Sequence, residues 1–184
     1  MRLPFYNRGM DHTVREQLVN TVRAFHLPRY AQITDVGLYL EQVTRFVNTY
    51  LRQIGAAEIT PSMVSNYVKQ KTIPGPVKKA YGSVSIAYLV FVSLVKNVLS
   101  MEDIRLLESV QRSMYDEVQA YDYFCAEFEG VLRSVFADGP LPPLPGGDDA
   151  QAAGKAVLRT AVLTSVQKIY LDQYLSILRE NYKK

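Results

Sequence analysis

Residues 60–81 read TPSMVSNYVKQKTIPGPVKKAY, and the fold prediction starts from this stretch. Thr60-Pro61 is a strong helix start, because a hydroxyl can cap the first turn and proline suits the first helical position. The predicted helix runs to about Gln70. Its inner face is apolar and consists of Val64, Tyr67 and Val68. Pro74-Gly75-Pro76 then interrupts the chain, and residues 77–81 are predicted to be extended or turn-like.

The charge of this region has a single sign. Residues 59–101 contain five lysines and no Asp or Glu, whereas the whole chain carries a net charge of only +3. The remaining residues therefore sum to −2, which indicates a basic patch rather than a basic tail. Lysines that stand among Ser, Asn, Gln and Tyr side chains, with no acid nearby, are suited to a phosphate backbone.

The bulk composition is that of an ordinary globular protein. The chain has 184 residues, of which 48% are apolar, so one domain or a small domain with a helical extension is expected. A single cysteine, Cys125, allows no intramolecular disulfide, which predicts a cytoplasmic location. The apolar run 84–95 is too short to span a membrane and is predicted to be a buried helix. No zinc spacing, nucleophile elbow or phosphate loop is found, so no enzyme activity, cofactor or metal site is predicted.

Helical patterns surround the central stretch, so the fold class is predicted to be all-α. The predicted flanking helices are 11–25, 36–54 with Asp35 as its cap and Gly55 as its stop, 83 or 85 to 98, 104–136 after a capping box at 100–103, and about 152–181. Residues 138–149, DGPLPPLPGGDD, are predicted to be a loop. The last two helices are expected to fold back on each other as an antiparallel hairpin.

Apolar residues recur at alternating steps of three and four within 104–136. They are Val118, Tyr121, Cys125, Phe128, Leu132 and Val135. This spacing is typical of helices that pack nearly parallel or antiparallel along their length. Because such a stripe needs a cover, the C-terminal helices are predicted to supply the contacts of a homodimer.

The 59–110 block resembles the winged helix-turn-helix of the mercury-resistance-regulator (MerR) superfamily. The residues that carry this resemblance are Asn66-Tyr67, Ile73-Pro74, Lys78-Lys79-Ala80-Tyr81, Ile86 to Leu99, and Ser100 to Ile104. A closer resemblance, over residues 27 to about 107, is to the YkrK-like family of uncharacterised bacterial proteins, a domain-of-unknown-function group. Its motifs are LPRY at 27–30, DVGLYLEQV at 35–43, the 60–81 stretch, and AYLVFVSLVKNVLSMEDI at 87–104. The resemblance implies a DNA-binding regulator.

The predicted partner is double-stranded DNA. Ser62, Ser65 and Asn66 are of the type that contacts base edges from a recognition helix. Four lysines are expected to meet phosphates: Lys69, Lys71, Lys78 and Lys79. Tyr81 either hydrogen-bonds a phosphate or packs the wing. Gly82 is predicted to permit a tight reversal, and residues 82–85 carry no charge where basic residues are expected in relatives.

These features divide the chain into an N-terminal helix, 1–26, a DNA-binding head, 27–105, and a helical region, 106–184, for dimerisation or effector binding. Tyr115, Tyr123 and Phe124 fall outside the apolar stripe, in a segment rich in acids. They could line a pocket for a cationic lipophilic small-molecule effector, or the helix could have one core face and one solvated acidic face. The alternative to a DNA-binding function is a helical protein-interaction module that keeps the helix-turn-helix shape.

Overall fold

The computed structural model of the chain describes residues 12–34, 36–144, 146 and 149–181. These residues form α-helices and one short 3-10 helix, Tyr30–Gln32. The α-helices are α1 His12–Val22, α2 Leu40–Gln53, α3 Pro61–Lys69, α4 Ser83–Val95, α5 Met101–Arg112, α6 Glu117–Ala137 and α7 Asp149–Asn181. No strand occurs in the described residues, so the all-α prediction is confirmed. No helix among them is both long enough and apolar enough to cross a membrane.

Local sequence signals set the ends of three helices as predicted. The Thr60 hydroxyl accepts a hydrogen bond from the Met63 backbone N–H at 3.2 Å and caps α3. The Ser100 hydroxyl does the same for α5, accepting from the Asp103 N–H at 3.1 Å. Gly55 follows α2 with φ of 62°, a left-handed conformation that glycine adopts without steric cost.

The start of α2 was predicted wrongly. The helix begins at Leu40 rather than at 36, and Val36 is 89% exposed. The preceding residues are extended instead, because Leu38 exchanges two backbone hydrogen bonds with Tyr81, at 2.9 and 2.8 Å. Gly37 permits this pairing, since a β-carbon there would lie 3.1 Å from the Ala80 β-carbon. The predicted cap, Asp35, lies outside the described residues.

The prediction of one continuous helix over 104–136 was also wrong. The chain leaves the helix after Arg112 and starts a new one at Glu117. Asp116 causes the restart, because its carboxylate accepts a hydrogen bond from the Gln119 N–H at 2.8 Å. Asp116 and Gln119 are a recognisable capping pair three residues apart in the sequence. Two other ends also differ from prediction, since α1 stops at Val22 and α4 at Val95.

The C-terminal helices run parallel, which corrects the predicted antiparallel hairpin. Contacts between α6 and α7 advance together along both helices. The Arg159 guanidinium pairs with the Glu127 carboxylate, and further along the Phe136 and Tyr170 rings meet edge to face at 5.2 Å. An antiparallel pair would place Tyr170 near the start of α6, so the order of these contacts excludes a hairpin.

The loop between these helices makes the parallel arrangement possible by returning along α6. Ser134 donates a hydrogen bond to the Pro140 carbonyl at 2.8 Å, and Pro142 lies over Gly130, one turn earlier in α6. The 21 residues of α6 span about 31 Å. Residues 138–148 can span about 36 Å when extended, so the loop is long enough to bring α7 back to the start of α6.

The apolar stripe of α6 is covered within the chain. Five of its six members are buried, namely Tyr121, Cys125, Phe128, Leu132 and Val135, and only Val118 is exposed. Helices α1, α4 and α7 pack against α6. The stripe therefore supplies no reason for a second copy, and that argument for a homodimer falls. One hydrophobic cluster includes Val14, Val64 and Val162, so it joins all three predicted segments. The segment boundaries themselves stay a prediction.

Candidate nucleic-acid interface

Asn48 fixes the entry of α3 against α2. Its side-chain amide donates to the Ile59 carbonyl and its side-chain oxygen accepts from the Ile59 N–H, both at 2.9 Å. Asn48 is buried, so these two bonds satisfy backbone groups that water cannot reach. Helix α3 begins two residues later. The sequence prediction missed this positioning residue, although an Asn on the apolar inner face of an amphipathic helix is a signal that the sequence contains.

The outer face of α3 is accessible. Ser62, Asn66 and Lys69 are exposed, whereas Val64 and Tyr67 on the opposite face are buried. Ser65 is half-buried, and its hydroxyl donates to the Pro61 carbonyl at 3.0 Å. The helix therefore presents an amide, hydroxyls and an ammonium to solvent, which are the groups that contact base edges and phosphates.

Lys71 occupies a position that usually belongs to glycine. After α3 ends, the Lys71 N–H bonds to the Val68 carbonyl at 3.0 Å and the Thr72 N–H bonds to the Tyr67 carbonyl at 2.9 Å. These two bonds define a Schellman motif, whose central residue is left-handed. Lys71 accordingly has φ of 56°. Arg105 adds a second cation here, because its guanidinium donates to the Gln70 carbonyl at 3.0 Å.

Two more lysines form the tip of the turn at residues 77–80, which is called the wing from here on because it occupies the position of the predicted wing. Val77 and Ala80 exchange both backbone hydrogen bonds at 2.9 Å, which closes a two-residue hairpin turn around Lys78 and Lys79. Their φ values of 48° and 69° are both positive, as in a type I′ turn. Asn-Gly is the pair that such turns favour. Both lysines are exposed, so the wing ends in two adjacent positive charges.

Tyr81 and residues 82–85 lie behind this tip. Tyr81 is 4% exposed, and burial raises the pKa of its hydroxyl, which places it in the packing of the wing. Gly82 does not make the predicted tight reversal, because its φ is −79° and it precedes α4 as an extended residue. Residues 83–85 form the first turn of α4, so their lack of charge removes nothing from the wing.

The four lysines of α3 and the two turns that follow it have no acidic partner among the described residues. Lys69, Lys71, Lys78 and Lys79 form no ion pair with any residue that the structure describes. Glu58, the acid just before the segment, is paired with Arg52 at 3.2 Å. The fifth lysine, Lys96, is separate from this group. It is half-buried at the end of α4, and burial lowers its pKa.

The predicted aromatic set, Tyr115, Tyr123 and Phe124, is divided between two places. Tyr115 and Phe124 line a cavity between α4, α5, α6 and α7. Tyr123 does not line it. Burial raises the pKa of Tyr123 to about 12, and the neighbouring Glu127 carboxylate adds to this rise. Glu127 and Glu129 of α6 are buried, which contradicts a fully solvated acidic face.

A family model described as a domain of unknown function, DUF1836, matches residues 28–124, more than half of the chain. The chain belongs to the DUF1836 family. The predicted resemblance to a family without an established function is thereby confirmed, while the YkrK-like name and the MerR-like head stay predictions. No curated protein matches the chain, and no solved structure does. The DUF1836 region runs from the 3-10 helix to the first third of α6, so it contains α3, the wing and most of the cavity.

Proposed function

We propose that the chain is a DNA-binding transcription regulator. Helix α3 enters the major groove, and the turn at 77–80 acts as a MerR-like wing on the phosphate backbone. Ser62, Ser65 and Asn66 face the bases, and the four lysines neutralise phosphates. Because one short helix reads few base pairs, two copies on two half-sites complete the proposed recognition.

The observation that carries this proposal is the backbone conformation of three of the lysines. Four non-glycine residues in the described chain have positive φ, and three of them are Lys71, Lys78 and Lys79. A left-handed conformation costs an L-residue with a β-carbon about 1–2 kcal/mol. Glycine or asparagine would serve each turn better. Lysine at all three positions trades stability for positive charge, which is a pattern expected at a functional surface.

The test is a triple substitution that keeps the turns and removes the charges. K71G/K78N/K79G is expected to be at least as stable as the wild type. Its free energy of unfolding should rise by up to about 1 kcal/mol per position, because the backbone strain is relieved. The same variant is expected to lose about a hundred-fold in affinity for duplex DNA near physiological salt, because three phosphate contacts are removed. Thermal unfolding and fluorescence anisotropy measure the two effects.

The matched control is K71A/K78A/K79A, which makes the same change of charge but keeps a β-carbon at each left-handed position. Both variants should lose DNA affinity equally, while only the glycine and asparagine variant gains stability. Unchanged DNA affinity in both variants would remove these lysines from the interface. Absence of duplex binding by the wild type would leave the protein-interaction module as the function to pursue by partner capture.

A further inference from the structure

A cavity lies between α4, α5, α6 and α7, away from the exposed face of α3. The space between these helices is about 580 Å³ when its open mouth to solvent is included. Six aromatic side chains line it: Tyr30, Tyr88, Phe91, Tyr115, Tyr121 and Phe124. Only Leu158 reaches it from α7. The walls are thus mainly π-faces and ring edges contributed by the DUF1836 region.

Three polar atoms on the lining residues are buried and unsatisfied. The Glu108 Oε1 atom and the hydroxyls of Tyr115 and Tyr121 have no hydrogen-bond partner among the described residues. Buried polar groups in native proteins are nearly always paired, so each such atom calls for a partner that the chain itself does not supply. When Glu108 is ionised its carboxylate oxygens can only accept, so the ionised form needs a donor from the occupant of the cavity.

The neighbouring cations do not pair with Glu108. Arg112 is held elsewhere, because its Nε atom donates to the Tyr88 hydroxyl at 2.5 Å and its guanidinium stacks over the Tyr88 ring at 4.8 Å. Burial raises the pKa of Glu108 to about 8, although the charges of Arg112 and Arg105 act in the opposite direction. Burial among the aromatic walls therefore favours the protonated form of this carboxyl over the charged form.

We propose that this cavity binds an arylalkylamine, an organic cation whose ammonium group donates to Glu108 and whose ring packs among the aromatic walls. An ammonium supplies the donor that Glu108 lacks and the charge that a carboxylate attracts. Aromatic faces stabilise both the cation and the ring that it carries. This site is separate from the DNA surface, so the proposal stands or falls independently of DNA binding.

Tryptamine is the probe of choice, because the chain contains no tryptophan. Its indole fluorescence can be excited selectively in the presence of the 13 tyrosines. Titration of a fixed amount of tryptamine with the full chain is expected to raise the anisotropy of the indole fluorescence to a plateau. The neutral analogue 3-ethylindole and the anionic analogue indole-3-propionate are expected to bind at least about ten-fold more weakly, since neither donates a charge-assisted hydrogen bond to Glu108.

The affinity for tryptamine is expected to depend on pH. Glu108 must ionise to pair with the ammonium, so affinity should rise by up to about ten-fold per pH unit from about pH 6 towards 8. The other charged or titratable groups around Glu108 are Arg105 and Arg112 on α5, Tyr88 on α4, Tyr115 between α5 and α6, Glu117 and Tyr121 on α6, and Tyr30, with Lys155 of α7 beyond Tyr115. Arginine, lysine and tyrosine ordinarily titrate above this window.

Glu108→Gln is the decisive variant, and Glu117→Gln is its matched control. Both remove one carboxylate from the lining, but Glu117 is exposed whereas the Glu108 Oε1 atom is buried. E108Q is expected to lose at least about ten-fold in tryptamine affinity and to lose the pH dependence, while E117Q retains both. E108Q should fold at least as stably at neutral pH, because a carboxyl with a raised pKa destabilises the native state as pH rises.

Several results would overturn the proposal. Equal affinity for tryptamine and 3-ethylindole would show that the charge is not recognised, and absence of any binding would show that the cavity holds only water. Retention of wild-type affinity in E108Q would remove Glu108 from the site. If E108Q fails to fold, the comparison of the three indoles and the pH profile on the wild-type chain decide the matter without it.

Discussion

Replacing Glu129 with alanine is expected to lower the free energy of unfolding by about 3 kcal/mol, the lower end of the range for breaking a buried ion pair. Glu129 is 3% exposed. Its carboxylate accepts two hydrogen bonds from the Arg29 guanidinium, at 2.7 and 2.9 Å, and one from the Leu27 N–H, at 2.9 Å. The alanine variant leaves this buried backbone N–H unpaired and the guanidinium without its partner.

The structural role of Glu129 explains why the expected loss of stability is large. It joins the start of the DUF1836 region to the middle of α6, and Tyr30 completes the connection by donating its N–H to Asp122 at 2.8 Å. The LPRY motif at 27–30 therefore anchors the start of the DUF1836 region on α6. Urea unfolding measures the effect. Arg133→Ala is the control, because Arg133 is exposed and 3.9 Å from Glu129, and it should cost less than about 1 kcal/mol.

The same carboxylate gives a pH dependence of definite sign. Burial alone would raise the pKa of Glu129, but the hydrogen bonds from Arg29 and Leu27 outweigh it and hold the pKa below its ordinary value. A lowered pKa means that the contribution to stability is present above the unfolded pKa and is lost as pH falls through the folded one. Glu129→Gln should therefore flatten the acid limb of stability. An unaltered acid limb would contradict this assignment.

Removing all four exposed lysines of the proposed DNA surface is expected to have the largest effect on binding. Each neutralised phosphate contributes about five-fold in affinity near physiological salt, so K69A/K71A/K78A/K79A should bind mixed-sequence duplex about a thousand-fold more weakly. The slope of log affinity against log salt should fall by about 0.9 for each lysine removed. Anisotropy titrations at several salt concentrations measure both quantities.

The control for this variant removes the same charge elsewhere. Four exposed arginines serve for this control, namely Arg15 on α1, Arg23 directly after α1, Arg133 on α6 and Arg179 on α7. Their fourfold replacement by alanine lowers the net charge equally, so it should weaken binding far less if contact with phosphate, rather than overall charge, is what matters. Equal losses of affinity in the two variants would show that the overall positive charge attracts the DNA and that the lysines at 69–79 make no specific contact with it.

The helix ends that were predicted correctly depend on neighbouring residues. The Thr60-Pro61 start, the Ser100 cap and the Gly55 stop each follow from hydrogen bonds or backbone preferences within a few positions. The inner face of α3 also follows from residues that are close in the sequence. These features can be predicted because the interacting groups are neighbours in the chain. The break before Glu117 depends on neighbouring residues as well, so the Asp116 cap could have been recognised.

What could not be predicted depends on contacts between distant residues. Glu129 and Arg29 are 100 residues apart, and nothing near either of them indicates the other. The parallel course of α7 depends on how the loop packs over Gly130, because apolar spacing alone fits parallel and antiparallel pairs equally. The left-handed backbone conformation of the three lysines was not predicted for a different reason. Turn statistics favour Asn or Gly at such positions, so a pair of lysines points away from a tight turn.

Binding of duplex DNA by α3 and the wing can be tested on the wild-type chain itself. A labelled mixed-sequence duplex is titrated with the protein at salt concentrations from about 50 to 200 mM, and fluorescence anisotropy reports binding. We expect binding with a slope of log affinity against log salt between about −3, for one head, and about −8, for two. Absence of binding at the lowest salt, or a slope near zero, would contradict it.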